Sequence, residues 1–168
     1  MLQPRVTAVV FEGGQAKTEL DRVMIGVRKQ VVLDTLEKLL MNRGIDAVVL
    51  ATNYSDLADQ AQRMGVSVDL EGPEAPRFHF GKRLRETIVR RGLENVIYMG
   101  GTAAPLLTGD EFGQIATALK RERNLVIMNN VQSADLVAFT PARAIDEIEL
   151  PDKDNPLGTL LKDIGMRR

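Results

Sequence analysis

The chain has 168 residues, of which 44% are hydrophobic and 27% are charged, and its formal net charge is -1. This balance is typical of one soluble globular domain and not of a disordered or fibrous chain, and the charge offers no general attraction to nucleic acid or to an anionic membrane. Cysteine is absent, which excludes disulfides, thiolate metal sites and a cysteine nucleophile and fits a reducing cytoplasm. No signal peptide and no apolar stretch of about 20 residues is visible, so we expect neither export nor membrane insertion.

Six apolar runs of strand length recur along the chain, with helical patterns between them. The runs are VTAVVF (6–11), DAVVLAT (46–52), VSVDL (66–70), NVIYMG (95–100), NLVIMN (124–129) and DLVAFT (135–140). Continuous rather than alternating hydrophobicity indicates strands that are covered on both faces. The sequence therefore predicts an α/β fold, a three-layer sandwich with a mainly parallel, Rossmann-like sheet.

The helical patterns fall over 27–42, 55–63 and 78–91, and from 108 onward. Ser55 is the expected N-cap of the second helix, and Thr108 with Glu111 forms a capping box for the fourth. Beyond residue 144 we expect a short strand, IDEIEL, then the turn-rich PDKDNP and a final helix. No repeat or linker interrupts the chain, so we predict a single domain over 1–168.

Ligands of parallel sheets bind at the carboxyl ends of the strands. The segments expected there are EGGQAK, TNYS, GGTAAP and NNVQSAD. We expect the turns around Gly13 and Gly101 to converge on one crevice that holds an anion.

The first glycine turn contains Gly13 and Gly14. Glycine lets backbone N–H groups face a phosphate, so the turn could form a phosphate cradle with help from Lys17 or Arg22. A simple tight turn is the alternative, because neither GxGxxG nor GxxxxGK[ST] is present. Asn53, after the second strand, either faces the ligand or caps a helix.

The later turns offer two further groups of candidates. Gly100, Gly101 and Thr102 could contact a ligand, or the glycines could only reverse the chain before Pro105. Asn129 and Asn130 form a polar cluster with the nearby Ser133 and Asp135. These polar groups must be either solvated or bound to a ligand, because buried unpaired polar groups are costly. An asparagine turn is the alternative.

The only histidine, His79, lies between two phenylalanines. Without a second histidine or a cysteine nearby, a zinc site or a catalytic relay cannot be inferred, and a role in packing or at a helix start is favoured. The basic run that follows, residues 82–91, is interpreted as a solvated helix face.

The order of these segments, with "DAVVLATNYSDLADQAQRMGVSV" and "APLLTGDEF" as the strongest stretches, resembles the molybdenum-cofactor guanylyltransferase-like nucleotidyltransferases of the glycosyltransferase-A-like fold. The resemblance covers most of the chain in patches. It implies that Gly13, Gly14 and Lys17 lie at the nucleotide phosphates and that Asn53 and Thr102 lie around the base and sugar.

The resemblance also exposes a departure from the family. The family's Leu-Pro-x-Asp-x-Pro-like motif supplies an aspartate that binds magnesium, and alignment through Pro-Leu-Leu-Thr places Ala103 at that position. An alanine cannot bind Mg²⁺, which requires oxygen ligands. A second aspartate of the family, near its C-terminus, has no counterpart in "LKDIGMRR", so either the sequence is cut short or this branch has lost the element.

Three interpretations follow. In the first, the protein binds a nucleoside triphosphate and transfers the nucleotidyl group to a phosphorylated or cofactor-like acceptor, with Lys17 and Asp135 as candidate catalytic residues and Asp135 as the Mg²⁺ ligand; Asp110 and Glu12 are the other carboxylates near strand ends. In the second, it binds the nucleotide without transferring it. In the third, it is a structural or oligomer-forming domain, for which a homodimer is one possible form.

Overall fold

The computed structural model describes residues 4–72 and 77–167, and within them six strands form one sheet. The strands are β1 (Val6–Glu12), β2 (Ala47–Thr52), β3 (Ser67–Leu70), β4 (Asn95–Gly100), β5 (Leu125–Met128) and β6 (Leu136–Thr140). Each corresponds to one of the predicted apolar runs. The prediction of a mainly parallel α/β sheet is confirmed.

The sheet has the strand order β3-β2-β1-β4-β6-β5. Strand β1 pairs in parallel with both β2 and β4, and β2 pairs in parallel with β3. Strand β6 is antiparallel to its two neighbours, β4 and β5. The start of β6 therefore lies at the same edge as the carboxyl ends of the other strands, which brings Asp135 to the edge where ligands are expected.

In the part of the chain that the structure describes, five α-helices cover the sheet: α1 (Glu19–Met41), α2 (Ser55–Arg63), α3 (Phe80–Arg91), α4 (Gly109–Arg121) and α5 (Leu157–Asp163). One hydrophobic core joins α1, α2 and α4 to one face of the sheet, and a second core joins α3, α5 and a 3-10 helix (Ala142–Glu147) to the other face. The result is the predicted three-layer sandwich.

The described residues contain no helix that is both long enough and apolar enough to span a bilayer.

Three local predictions are wrong. Helix α1 begins at Glu19 and not at residue 27, because Thr18 and Asp21 form a capping box there. Ser55 is the first residue of α2 and not its cap; the N-cap is Tyr54, which makes no capping hydrogen bond through its side chain. The segment 145–150 is no strand, since a 3-10 helix occupies its first half.

Candidate active site

The two glycine turns lie against each other at the carboxyl edge of the sheet. The Gly101 N–H donates to the Phe11 carbonyl at 2.9 Å, one residue before Glu12 at the end of β1. A Cβ at Gly101 would lie 2.6 Å from Val32 Cγ2 and closer still to a carboxylate oxygen of Glu12. Glycine is required at 101 by this close approach, and the turns occupy the same edge, as expected from the sequence.

The side-chain amide of Asn53 holds the first glycine turn in place. Its Oδ1 accepts the Gly14 N–H at 3.0 Å, and its Nδ2 donates to the Gly14 carbonyl at 2.9 Å. Gly14 has φ +142, a conformation that other residues rarely adopt. The Asn53 amide is thus occupied by the turn, which makes it a support for the loop between β1 and α1.

The rest of that loop presents backbone amides and one ammonium group. Lys17 and Thr18 donate their N–H groups to the Asp21 carboxylate at 2.9 and 2.8 Å, and these bonds lower the pKa of Asp21, the Lys17 amide contributing most. Within the described residues, the amides of Gln15 and Ala16 have no hydrogen-bond partner and the Lys17 ammonium has no ion pair. An anion at this loop would meet those groups.

Sequence reasoning missed a partly buried ion pair at the turns. The Glu12 carboxylate, whose side chain is 5% exposed, accepts the Arg28 Nε–H at 3.0 Å and also contacts Arg28 Nη2, which donates to the Gly13 carbonyl at 3.0 Å. The hydrogen bond to Glu12 is the main cause that raises the pKa of Arg28. The "TELD" capping box before α1 was the available signal, because a helix starting at 19 places Arg28 in its third turn.

The second glycine turn is tight and ends in apolar packing. The Gly100 N–H donates to the Asp135 carbonyl, and the Ala103 N–H donates to the Gly100 carbonyl, both at 3.0 Å. Thr102 is exposed, so its hydroxyl is free to meet a ligand. Ala103 packs against the first core, and no carboxylate stands at the position where the resemblance places a metal ligand.

The polar residues before β6 form hydrogen bonds within their own segment, residues 129–136. Asn129 Nδ2 donates to Asp135 Oδ1 at 2.5 Å, and Asn129 Oδ1 accepts the Leu136 N–H at 3.2 Å. Asn130 Oδ1 accepts the Gln132 N–H at 2.9 Å, which is the asparagine turn considered above. Asn129 therefore orients Asp135 beside Gly100, and Asn130 closes a loop.

Below this edge, on the side of α3, an aromatic cluster supports the turns. Phe11 and Phe80 contact Tyr98, with ring centroids at 5.3 and 4.8 Å. The Tyr98 hydroxyl donates to Asp154 Oδ2 at 3.0 Å. Burial, followed by the neighbouring Asp154 charge, raises the pKa of Tyr98 far above its usual value.

His79 has the helix-start role that the sequence favoured. It is the N-cap of α3, its side chain accepts the Lys82 N–H at 3.4 Å, and its Nε2 lies 2.9 Å from Asp152. Four arginines of the basic run on α3 form ion pairs with acidic side chains. Arg83 pairs with Glu71, Arg85 pairs with Asp146, and Arg90 and Arg91 both pair with Asp69.

Among the described residues, no group of three or more histidine, aspartate or glutamate side chains is placed to hold a metal ion. Of the three carboxylates considered from sequence, Glu12 is paired with Arg28, and Asp110 lines a groove between α4 and residues 42–44. Glu12 and Asp135 both stand beside the glycine turns, and of these two only Asp135 has no ion pair among the described residues. One carboxylate suits Mg²⁺ that is carried largely by nucleotide phosphates and water.

No family model and no curated protein matches the sequence. Solved structures do match. A nucleotidyl transferase from Methanothermobacter thermautotroptrophicus superposes with a TM-score of 0.68 at 18% identity, covering 97% of this chain and 84% of the other. A CMP:2-keto-3-deoxy-manno-octonic acid synthetase complexed with CTP gives 0.62 at 11% identity, covering 96% and 87%.

A third structure, 4-diphosphocytidyl-2C-methyl-D-erythritol synthase, gives a TM-score of 0.58 at 14% identity, covering 99% of this chain and 87% of the other. At these identities the likeness concerns the fold. The chain has the fold of nucleotidyltransferases and nucleotide-diphospho-sugar transferases, as the resemblance implied.

Proposed function

We propose that this protein is a nucleotidyltransferase-like protein that binds a nucleoside triphosphate at the carboxyl edge of the sheet, beside the turns at 13–14 and 100–101. The contact between these two turns at the carboxyl edge of the sheet is the observation that carries the proposal. It is supported by a structural neighbour of the same fold that was solved with CTP.

The loop between β1 and α1 supplies the groups for the triphosphate. The backbone amides of Gln15 and Ala16 and the Lys17 ammonium provide donors and a positive charge to phosphate oxygens. Gly13 and Gly14 keep the backbone open to the ligand, and Asn53 keeps Gly14 in its conformation. The neighbouring turn contains Gly100, Gly101 and the exposed Thr102, and Asn129 and Asn130 lie at the end of β5.

In the transfer reaction, an oxygen of a phosphorylated or cofactor-like acceptor attacks the α-phosphorus while the bond to the bridging oxygen of the β-phosphate breaks and pyrophosphate leaves. Catalysis of such a step consists mainly of positioning and charge neutralisation. Lys17 would neutralise the phosphates, and Asp135, oriented by Asn129, would hold a Mg²⁺ ion, which supplies further charge stabilisation when bound.

A second candidate function is nucleotide binding without transfer. Ala103 removes the carboxylate that the resemblance predicts at the second turn. In addition, two of the chain's own carboxylates use groups that would otherwise serve phosphates, since Asp21 takes the amides of Lys17 and Thr18 and Glu12 takes the Arg28 guanidinium.

The deciding experiment is a thermal-shift titration with GTP, CTP, ATP and UTP, with and without Mg²⁺, alongside an assay for pyrophosphate release. Ligand at a hundred times its dissociation constant stabilises the folded state by about 2.7 kcal/mol, which for a chain of this length raises Tm by roughly 5–10 °C. A Mg²⁺-dependent shift with pyrophosphate release supports transfer. A metal-independent shift without release supports binding alone, and no shift with any nucleotide contradicts both.

The same assay tests which nucleobase the protein prefers and whether Lys17 and Asp135 have the proposed roles. The sequence does not identify the base; a largest shift with GTP would agree with the resemblance, and a largest shift with CTP would agree with the structural neighbour that was solved with CTP. Lys17→Ala should abolish most of the shift, and Asp135→Asn should remove only its Mg²⁺-dependent part. Lys162→Ala, an exposed lysine on α5, is the matched control and should leave the shift unchanged.

A further inference from the structure

The first half of α1 carries an exposed apolar stripe. It consists of Leu20, Val23, Met24 and Val27, with 70%, 57%, 49% and 53% of their surfaces exposed. Their spacing of three and four residues places them on one side of the helix. Scattered exposed apolar residues are normal, but a continuous stripe of four marks a contact surface.

The stripe is exposed because α1 reaches past the core. The buried residues of α1 are Val32, Thr35, Leu36 and Leu39, so the thirteen residues from 19 to 31, roughly 20 Å of helix, precede its first buried position. This half is nevertheless attached to the domain, by Arg28 to Glu12 and by Lys29 to Asp56. Since successive residues turn by about 100° around a helix, Arg28 and Lys29 lie roughly 100° and 160° from Val27. The stripe therefore lies beside the attached side of α1, with Met24 as its member nearest to Arg28.

We propose that the α1 stripe is the contact surface of a homodimer, in which it packs against the same stripe of a second copy. Leu20, Met24 and Val27 follow the spacing of a helix–helix seam, and Val31 continues it. Two-fold contacts bring one patch against itself, and an antiparallel arrangement of the two helices also opposes their dipoles favourably.

Charge does not oppose this arrangement. Glu19 and Arg22 flank the stripe and are paired within each copy at 2.7 Å. Arg28 is neutralised by Glu12, and Lys29 is bonded to both oxygens of Asp56. Two copies would thus meet along an apolar seam whose flanking charges at residues 19, 22, 28 and 29 are already paired within each copy.

The area of the stripe is sufficient for a stable dimer. Four half-exposed or more exposed side chains present on the order of 400 Å² of apolar surface, the size of the functional patches found on monomers. Two copies would bury about 800 Å² of it. Because apolar atoms make up roughly 60% of an interface, the total would be about 1,300 Å², within the range of specific complexes.

Sedimentation velocity of the whole chain from about 1 µM to about 200 µM tests the proposal. The unmodified protein should shift from monomer to dimer over this range. Met24→Glu and Val27→Glu should each raise the dimer dissociation constant by a factor of about 100 or more, because a carboxylate would be buried in the seam. Val89→Glu, at an apolar position of α3 that is 44% exposed, is the matched control and should leave the constant unchanged.

Circular dichroism checks that each variant keeps the fold, which is expected because all three positions are exposed. A protein that stays monomeric at the highest concentration would overturn the proposal and leave the stripe to a different partner. A dimer that is unaffected by both stripe variants, or weakened equally by Val89→Glu, would overturn the assignment to α1. The test does not depend on nucleotide binding, so it can fail or succeed separately from the proposed function.

Discussion

The two tyrosines of the chain have opposite hydrogen-bond situations. Tyr98 Oη donates to Asp154 at 3.0 Å, whereas Tyr54 Oη is buried and has no partner among the described residues. An unpaired buried hydroxyl costs free energy, and removing one side of a buried hydrogen bond leaves the other side unpaired. These two hydroxyls therefore contribute to stability with opposite signs.

We predict that Tyr98→Phe lowers the free energy of unfolding by about 1–2 kcal/mol, while Tyr54→Phe leaves it unchanged or raises it by up to about 1 kcal/mol. The two variants are matched, since each removes one oxygen from an aromatic ring. Urea denaturation of both variants and the parent measures the difference. A loss of stability in Tyr54→Phe would mean that its hydroxyl has a partner in solution.

Gly101 and Gly26 form a second matched pair. A Cβ at Gly101 would overlap Val32 and Glu12, whereas a Cβ at Gly26 would meet nothing within 4 Å. We expect Gly101→Ala to destabilise the fold by about 1–3 kcal/mol through overpacking and to separate the two glycine turns. Gly26→Ala, on an exposed turn of α1, should stabilise it by about 0.5–1 kcal/mol. Thermal denaturation of both variants should show Tm changes of opposite sign.

The start of α1 is set by a local motif. The Thr18 side chain accepts the Asp21 N–H, and the Asp21 carboxylate accepts the Thr18 N–H. Replacing an N-cap threonine by alanine costs about 1 kcal/mol, so we predict that Thr18→Ala lowers Tm by roughly 2–4 °C and speeds amide exchange over residues 19–27. Thr117→Ala, on the exposed surface of α4, is the control. Unchanged exchange in Thr18→Ala would show that the ion pairs of Arg28 and Lys29 suffice to hold this half.

Strands were easier to predict from the sequence than helix starts. A strand covered on both faces reads as an unbroken apolar run, and all six such runs are strands. The first half of α1 gives no such signal, because its apolar side faces away from the core and its only marker is the capping box at Thr18. The segment 145–150 was wrongly predicted as a strand. Its apolar residue Ile145 is buried, but it belongs to a 3-10 helix, and apolar spacing alone does not reveal the backbone conformation.

The candidate site likewise has features that the sequence predicts and features that it does not. The glycine turns and their shared edge follow from strand order, which sequence patterns indicate. The pairing of Glu12 with Arg28 and of Asn53 with Gly14 joins residues that are 16 and 39 positions apart. The capping box at Thr18 places Arg28 on α1, but which residues Arg28 and Asn53 contact depends on how α1 and β2 lie against β1, and no local pattern reports that.

The acid stability of the whole molecule depends on aspartates distributed over its surface. Asp56 bonded to Lys29, and Asp146 bonded to Arg85, have their pKa values lowered mainly by those hydrogen bonds. Burial of Asp46 opposes ionisation, but the Val6 amide at 2.7 Å and Lys120 outweigh it and lower its pKa. Because each folded-state pKa lies below the unfolded value, these groups stabilise the fold above about pH 4.

That contribution is lost as pH falls through the lowered folded-state values, since protonation removes the charged form that the fold prefers. We therefore predict a constant Tm from about pH 5 to 7 and a fall below about pH 4. The loss should be at most about 1 kcal/mol for each exposed pair, because solvent screens them. Asp46→Asn should lower Tm at neutral pH and make its fall in acid shallower, whereas Asp59→Asn, at an exposed position without an ion pair among the described residues, should follow the parent curve. A parallel displacement of the Asp46→Asn curve at all pH values would assign the stabilisation to packing rather than to charge.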